Sequence, residues 1–205
     1  MLIAQSDFKN YVDFSDNIAN KKVLYQINDA ELFDFKPLVP IEFYNALISL
    51  VDYNSNQWTR TTPYVVGNKV YSTENQKTYI CIQSSTGNEP SVSGSYWTEI
   101  ELSVSFNSFI KPYLVCSAFS RYLLWAGRNV SQFGLRVNSE DSSAEISDKA
   151  RGELIADIEN KKKHYWAMFK KDLFDRNYKY DSITYNFTND CDISSPKPKF
   201  NIRAV

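Results

Sequence analysis

The chain has 205 residues, enough for one full core and a small accessory domain, and its 23 basic and 24 acidic side chains leave a net charge of −1. That balance excludes a global electrostatic case for nucleic acid or an anionic membrane as partner. No stretch approaches the roughly 18 uninterrupted apolar residues of a membrane span, and MLIAQSDFKN lacks the charged start and apolar run of a signal peptide, so a soluble protein made in the cytoplasm is expected.

In chain order, SDFKNYV predicts a short helix over 6–12, with Ser6 as cap and Asp7 in the first turn. After a break at DFSDN, the spacing of Leu24, Ile27, Ala30 and Phe35 predicts a helix from about Ile18, ended by Pro37. Pro40 stands where the next helix starts, with Ile41, Tyr44, Leu47, Ile48 and Val51 on its buried face. From Gln57 to Ile100 the grammar changes to short β-rich runs, YVV, KVYS and KTYICIQ. These are parted by Gly67-Asn68 and by Thr73-Glu74-Asn75-Gln76, and a loop, SSTGNEPSVSG, leads to Tyr96–Ile100. This stretch reads as a compact β module inserted between helices.

Phe106–Val137 is the stretch on which the rest is organised. Phe106, Phe109, Ile110, Tyr113, Leu114, Ala118, Tyr122 and Trp125 step mostly by three or four, and Val115, Phe119, Leu123 and Leu124 widen that face. Only a narrow polar stripe remains, around Lys111, Ser117, Ser120, Arg121 and Arg128, so this helix must be covered on several sides. Pro112 either opens the helix or kinks it. Gly127 and Gly134 flank a linker in which FGLRV reads as a short strand or extended segment.

Ser142-Ser143-Ala144-Glu145 has capping-box spacing and opens a long helix to about Phe174, striped by Ala150, Leu154, Ile158, Tyr165, Phe169 and Leu173. Acidic residues dominate its first half, and Lys161, Lys162, Lys163, Lys170 and Lys171 its second. Its length of roughly 50 Å exceeds the needs of a small bundle, so its far end, with Lys162 and Lys163, is expected to face another subunit. Beyond it Tyr178, Tyr180, Ile183, Tyr185 and Phe187 alternate weakly before the polar, proline-bearing end. This is either an extended arm that adds as a strand to a neighbouring subunit or neck protein, or a disordered tail. The expected fold is mainly α: a helical bundle of residues 1–56 and 101–175, the inserted β module of 57–100, and an extended C-terminal arm of 176–205.

Catalytic chemistry has little to stand on. Cys81, Cys116 and Cys191 are odd in number and show no metal-ligand spacing, and read as buried free thiols rather than a disulfide. His164, the single histidine, lies among lysines on a solvated face. No nucleophile elbow, phosphate loop, zinc helix or calcium loop is present, so a non-enzyme without cofactor or metal is expected. The excess instead lies in the aromatics, with 14 Tyr, 13 Phe and 4 Trp, which suit an interface or a core of bulky residues.

Two resemblances add to this reading. Trp58, Tyr64, Gly67, Val70, Tyr79, Cys81, Pro90 and Trp97 fall in the plan of the small chitin-binding type of carbohydrate-binding module. That resemblance implies a sugar or docking surface at Trp58, Tyr64, Tyr79 and Trp97, or else a miniature fold built from the same rings. The flanking helices resemble head-to-tail connector proteins of tailed bacteriophages. The resemblance is carried by DAELFDFKPLVPIEFYNAL with Lys36-Pro37, by Arg121-Tyr122, by Ser131-Gln132-Phe133-Gly134-Leu135 and by the long charged helix. Val39-Pro40 replaces the usual Leu-Gly, and the β module is an addition. The resemblance implies a bundle of connector type that closes into a dodecameric ring between portal and tail of a virion. Such a ring extends the DNA channel, lets DNA pass without sequence-specific binding, and docks further neck or tail proteins. Assembly contacts are then expected at Lys162, Lys163, Tyr178, Tyr180, Tyr185 and Phe187. The alternative is a carbohydrate-binding protein acting through the β module.

Overall fold

The computed structural model describes residues 1–14, 20–53, 56–75, 77–125, 128–131, 134–137 and 148–187, and of residues 20, 52, 53, 128–131, 134–137 and 148 the backbone alone. The chain opens with a 3-10 helix, Gln5–Asn10, closed at its start by Asp7, whose carboxylate accepts the Ala4 N–H at 2.8 Å. Asp7, rather than Ser6, therefore supplies the cap. Helix α1 (Asn20–Asp29) runs on into a π-turn (Ala30–Phe35) and a single 3-10 turn (Lys36–Leu38) that holds Pro37. Helix α2 (Ile41–Tyr53) starts after Pro40 as expected, but its buried face is Phe43, Tyr44, Leu47 and Leu50, and Ile41 is exposed.

The β module holds β1 (Pro63–Tyr64) paired with β4 (Ser85–Thr86), and the antiparallel sheet β2 (Lys69–Ser72), β3 (Lys77–Cys81), β5 (Trp97–Glu99) in the order β2-β3-β5. Gly67 makes the turn before β2 at φ +91°, a region that only glycine enters cheaply. Strand β5 passes directly into a helical rod: α3 (Glu101–Ser105), a π-turn (Phe106–Ile110) and α4 (Lys111–Trp125). A proline inside a helix lacks a donor and collides with the carbonyl four residues back. Here the wide turn immediately before Pro112, where the Lys111 N–H bonds the Phe106 carbonyl, relieves that collision and lets the rod continue. Every residue from Pro112 to Ser120 is buried, so the rod is the centre of the molecule. Beyond it lies a hairpin of β6 (Arg128–Ser131) and β7 (Gly134–Val137), and then α5 (Asp148–Asp175), which packs along α4. In α5, Ile158, Phe169 and Leu173 are buried as expected, whereas Ala150 and Leu154 stand clear of the core. The capping box at Ser142–Glu145 lies outside the described residues.

The expectation of a mainly α bundle with an extended arm is corrected. The fold is mixed α/β, with nine strands in four small sheets among the described residues, and the strands are not confined to the module. The arm, as far as Phe187, folds back on its own chain. Helix α5 stops in a Schellman motif: Tyr178 N–H bonds the Leu173 carbonyl at 2.8 Å, Asn177 N–H bonds that of Phe174 at 2.9 Å, and Asn177 is left-handed. Strands β8 (Lys179–Tyr180) and β9 (Ile183–Thr184) then pair across Asp181-Ser182, whose φ values of 48° and 68° suit a two-residue hairpin turn. The two strands pair with each other, and the hairpin brings Tyr180, Tyr185 and Phe187 within 5.1–5.6 Å of the Phe43 ring of helix α2. The end of the tail, including Ser195-Pro196-Lys197-Pro198 and Cys191, lies outside the described residues.

Candidate functional site

The widened turn after α1 carries Asp34 toward α4. There Arg121 grips it with two bonds, Nε to Oδ2 at 2.7 Å and Nη2 to Oδ1 at 2.6 Å. The Ser117 hydroxyl also donates to this carboxylate, and Tyr113 donates to the Asp34 backbone carbonyl at 3.0 Å. Burial pushes the Asp34 carboxyl up, but the bonds from Arg121 and Ser117 and the guanidinium charge more than reverse that, holding it below the ordinary carboxylate range. With both oxygens held by donors, the pair is a fixed feature of the surface. Exposed apolar side chains stand on the same two elements. Leu32 and Phe33 precede Asp34, Leu124 and Trp125 follow Arg121 by one helical turn, and Phe33 and Trp125 are 66% and 54% exposed. Phe, Trp and Arg on rigid helices are the residue types that carry the centres of protein interfaces. Phe33 falls off the periodic face of α1, so helical spacing gave no signal for it.

The four rings expected to form a sugar or docking surface come together, but inward. Tyr64, Tyr79 and Trp97 are buried with Val70 and Cys81 as the core of the module, with the Tyr64 ring edge-on to Trp97 at 5.2 Å. Their polar ends are satisfied locally: Thr59 N–H donates to the Tyr64 oxygen at 2.8 Å, Asn75 to that of Tyr79 at 2.5 Å, and Trp97 Nε1–H to the Asn88 carbonyl at 2.9 Å. Trp58 is half-buried against the same cluster. A cleft of about 460 Å³ beside them is lined mainly by polar side chains, among them Asn56, Gln57, Thr62 and Asn68.

Of the expected assembly contacts, Tyr180 and Tyr185 lie in the main core, with Tyr178 and Phe187 half-buried against it. Lys162 is held by Glu159 of its own helix at 2.6 Å, whereas Lys163 is exposed. Cys81 and Cys116 are buried free thiols, and burial pushes the Cys116 thiol up to about 11. Among the described residues, no group of three His, Cys, Asp or Glu side chains could hold a metal ion, and no helix is long and apolar enough to cross a membrane.

A family of unknown function, DUF6712, matches residues 67–193. The chain belongs to that family. The DUF6712 span begins at Gly67 inside the β module and runs through the helical rod, α5 and the β8–β9 hairpin, so most of the module and the two longest helices fall within one family unit. No curated protein and no solved structure matches the chain.

Proposed function

We propose that this DUF6712 protein is a structural virion protein, one subunit of a dodecameric ring between the portal and tail of a tailed bacteriophage. The ring extends the DNA channel and docks further neck or tail components, and DNA passes its lumen without sequence-specific contacts. The observation that carries the reading is the surface around Asp34 and Arg121, where Phe33 and Trp125 stand exposed on helices fixed by a two-bonded ion pair. Rings of that size contribute most when a partner covers them, since apolar area is worth about 25 cal/mol per Å² once removed from water. The connector-like elements at Lys36-Pro37 and Arg121-Tyr122 support the reading further, because Lys36 follows Asp34 by two residues and Arg121 is the ion-pair partner of Asp34.

The test is the solution mass of the purified protein by light scattering, followed by imaging of the particles. We expect closed rings many times the monomer mass. The double variant Phe33→Ser, Trp125→Ser should lose them while its melting temperature stays within a few degrees of the parent. A chain that remains monomeric at every concentration overturns the proposal.

A further inference from the structure

Helix α5 carries a second surface. Lys163, His164, Ala167, Met168, Lys171 and Phe174 share one face by spacing, and all six are exposed, Phe174 to 71%. Neither Lys163 nor Lys171 forms an ion pair with a described residue, in contrast to Lys161 and Lys162, which are held by Asp157 and Glu159. From Asn160 to its end the helix has two carboxylates, Asp172 and the exposed Asp175 of the last turn. Asp172 is taken up by bonds from Ser105 at 2.6 Å and Tyr180 at 2.8 Å. The outer face thus carries an excess of cations with two apolar anchors.

The same chain carries a surface of opposite character, in the β module. Glu74 and Glu89 converge on the Ser91 hydroxyl, which lies 2.9 Å from an oxygen of each. One hydroxyl has one proton to give, so it can bond only one of the two carboxylates at a time and leaves most of their acceptor sites open. Next to them Val92 is 79% exposed. Two carboxylates beside an apolar tip complement two ammonium groups beside Met168 and Phe174.

We infer that the outer face of α5 docks a second copy of this chain through the Glu74–Glu89 edge of that copy's β module. The contact joins different patches on successive copies, the type that closes into a ring when the rotation permits. The inference rests on the self-assembly proposed above and adds a second contact to the one around Phe33 and Trp125. Complementary charge there sets partner choice and encounter rate, while Met168, Phe174 and Val92 supply the apolar area.

The experiment is charge exchange in the full-length chain, read by sedimentation velocity. The K163E/K171E and E74K/E89K variants should each sediment mainly as monomer. The chain carrying all four changes, or an equimolar mixture of the two variants, should recover assembly, and raising salt to about 0.5 M should weaken the wild-type contact. Met168→Ser supplies a probe without charge change and should lower the assembled fraction several-fold. Circular dichroism melting of each variant shows that it is folded. If the wild type forms rings and K163E/K171E forms them equally well, this contact is overturned and the ring reading stands. If each reversal abolishes assembly but the exchange does not restore it, the partner edge is not Glu74–Glu89. A wild type that is monomeric at every concentration removes both readings.

Discussion

Asp34 and Arg121 are 87 residues apart in sequence, yet their bidentate contact fixes the α1 π-turn against the central rod. Removing the guanidinium leaves a half-buried carboxylate with Ser117 as its remaining side-chain donor, so Arg121→Ala should cost about 1 to 3 kcal/mol in urea unfolding. Lysine cannot reproduce the fork, so Arg121→Lys should recover only part of that. The folded-state carboxyl of Asp34 sits below its unfolded value. Its stabilising contribution is therefore complete above about pH 4 and is lost as the pH falls through the folded value. Melting temperatures of Asp34→Asn and wild type, taken between about pH 5 and pH 2, should converge on acidification; a constant difference would mean that this carboxylate is not linked to stability. The sequence made Arg121 visible as a polar residue on an otherwise apolar helix. Its partner was not visible, because a pairing across that separation leaves no local periodicity.

The C-terminal hairpin shows what local pattern conveys and what it omits. The alternation from Tyr178 to Phe187 signalled an extended arm, but only Lys179–Tyr180 and Ile183–Thr184 are strand, joined in a hairpin. The return was not legible, because its turn uses Asp181-Ser182 and the stop of α5 uses Asn177, all at positive φ without the glycine that ordinarily marks such positions. Ser182→Gly should therefore stabilise the fold by about 1 kcal/mol through relief of strain. Tyr180 is fully buried and bonds Asp172 through its hydroxyl, so Tyr180→Ala should cost about 3 to 5 kcal/mol. Truncation after Asp175 should lower the melting temperature of the isolated chain, because it uncovers Phe43. Helix α5 makes the companion case. A stripe read from period alone treated Leu154 and Phe169 alike, but the first turns of the helix extend past the core, leaving Leu154 38% exposed and Phe169 buried. Leu154→Ala should cost less than about 1 kcal/mol and Phe169→Ala about 3 to 5; equal costs by urea unfolding would show that Leu154 is covered.

At the scale of the molecule, the stretch of strand grammar between Gln57 and Ile100 holds strands β1 to β5, whereas the fold class was misread. The cause is that two further hairpins occupy stretches read as linker and arm. The module has a small core of its own and joins the rod through the Ile100 N–H on the Thr78 carbonyl at 3.0 Å, the Thr78 N–H on the Ser103 hydroxyl at 3.1 Å, and Ile80 against the main core. Its entry and exit are close together, and the sheet shows how close. Gln57 bridges Tyr71, Tyr71 is the register partner of Thr78, and Thr78 receives Ile100, so entry and exit are three strand spacings apart on adjoining rungs. At about 4.8 Å per spacing the gap is roughly 14 Å, within reach of a linker of about six to eight Gly/Ser residues. Replacing 57–100 by such a linker should leave a protein that keeps its helical circular dichroism and melts cooperatively, at a lower temperature because Ser103 loses its partner and the apolar surface under Ile80 is bared. A deletion protein without helical signal would mean that the rod cannot form unless β5 leads into it, and that the module and the helices fold as one unit.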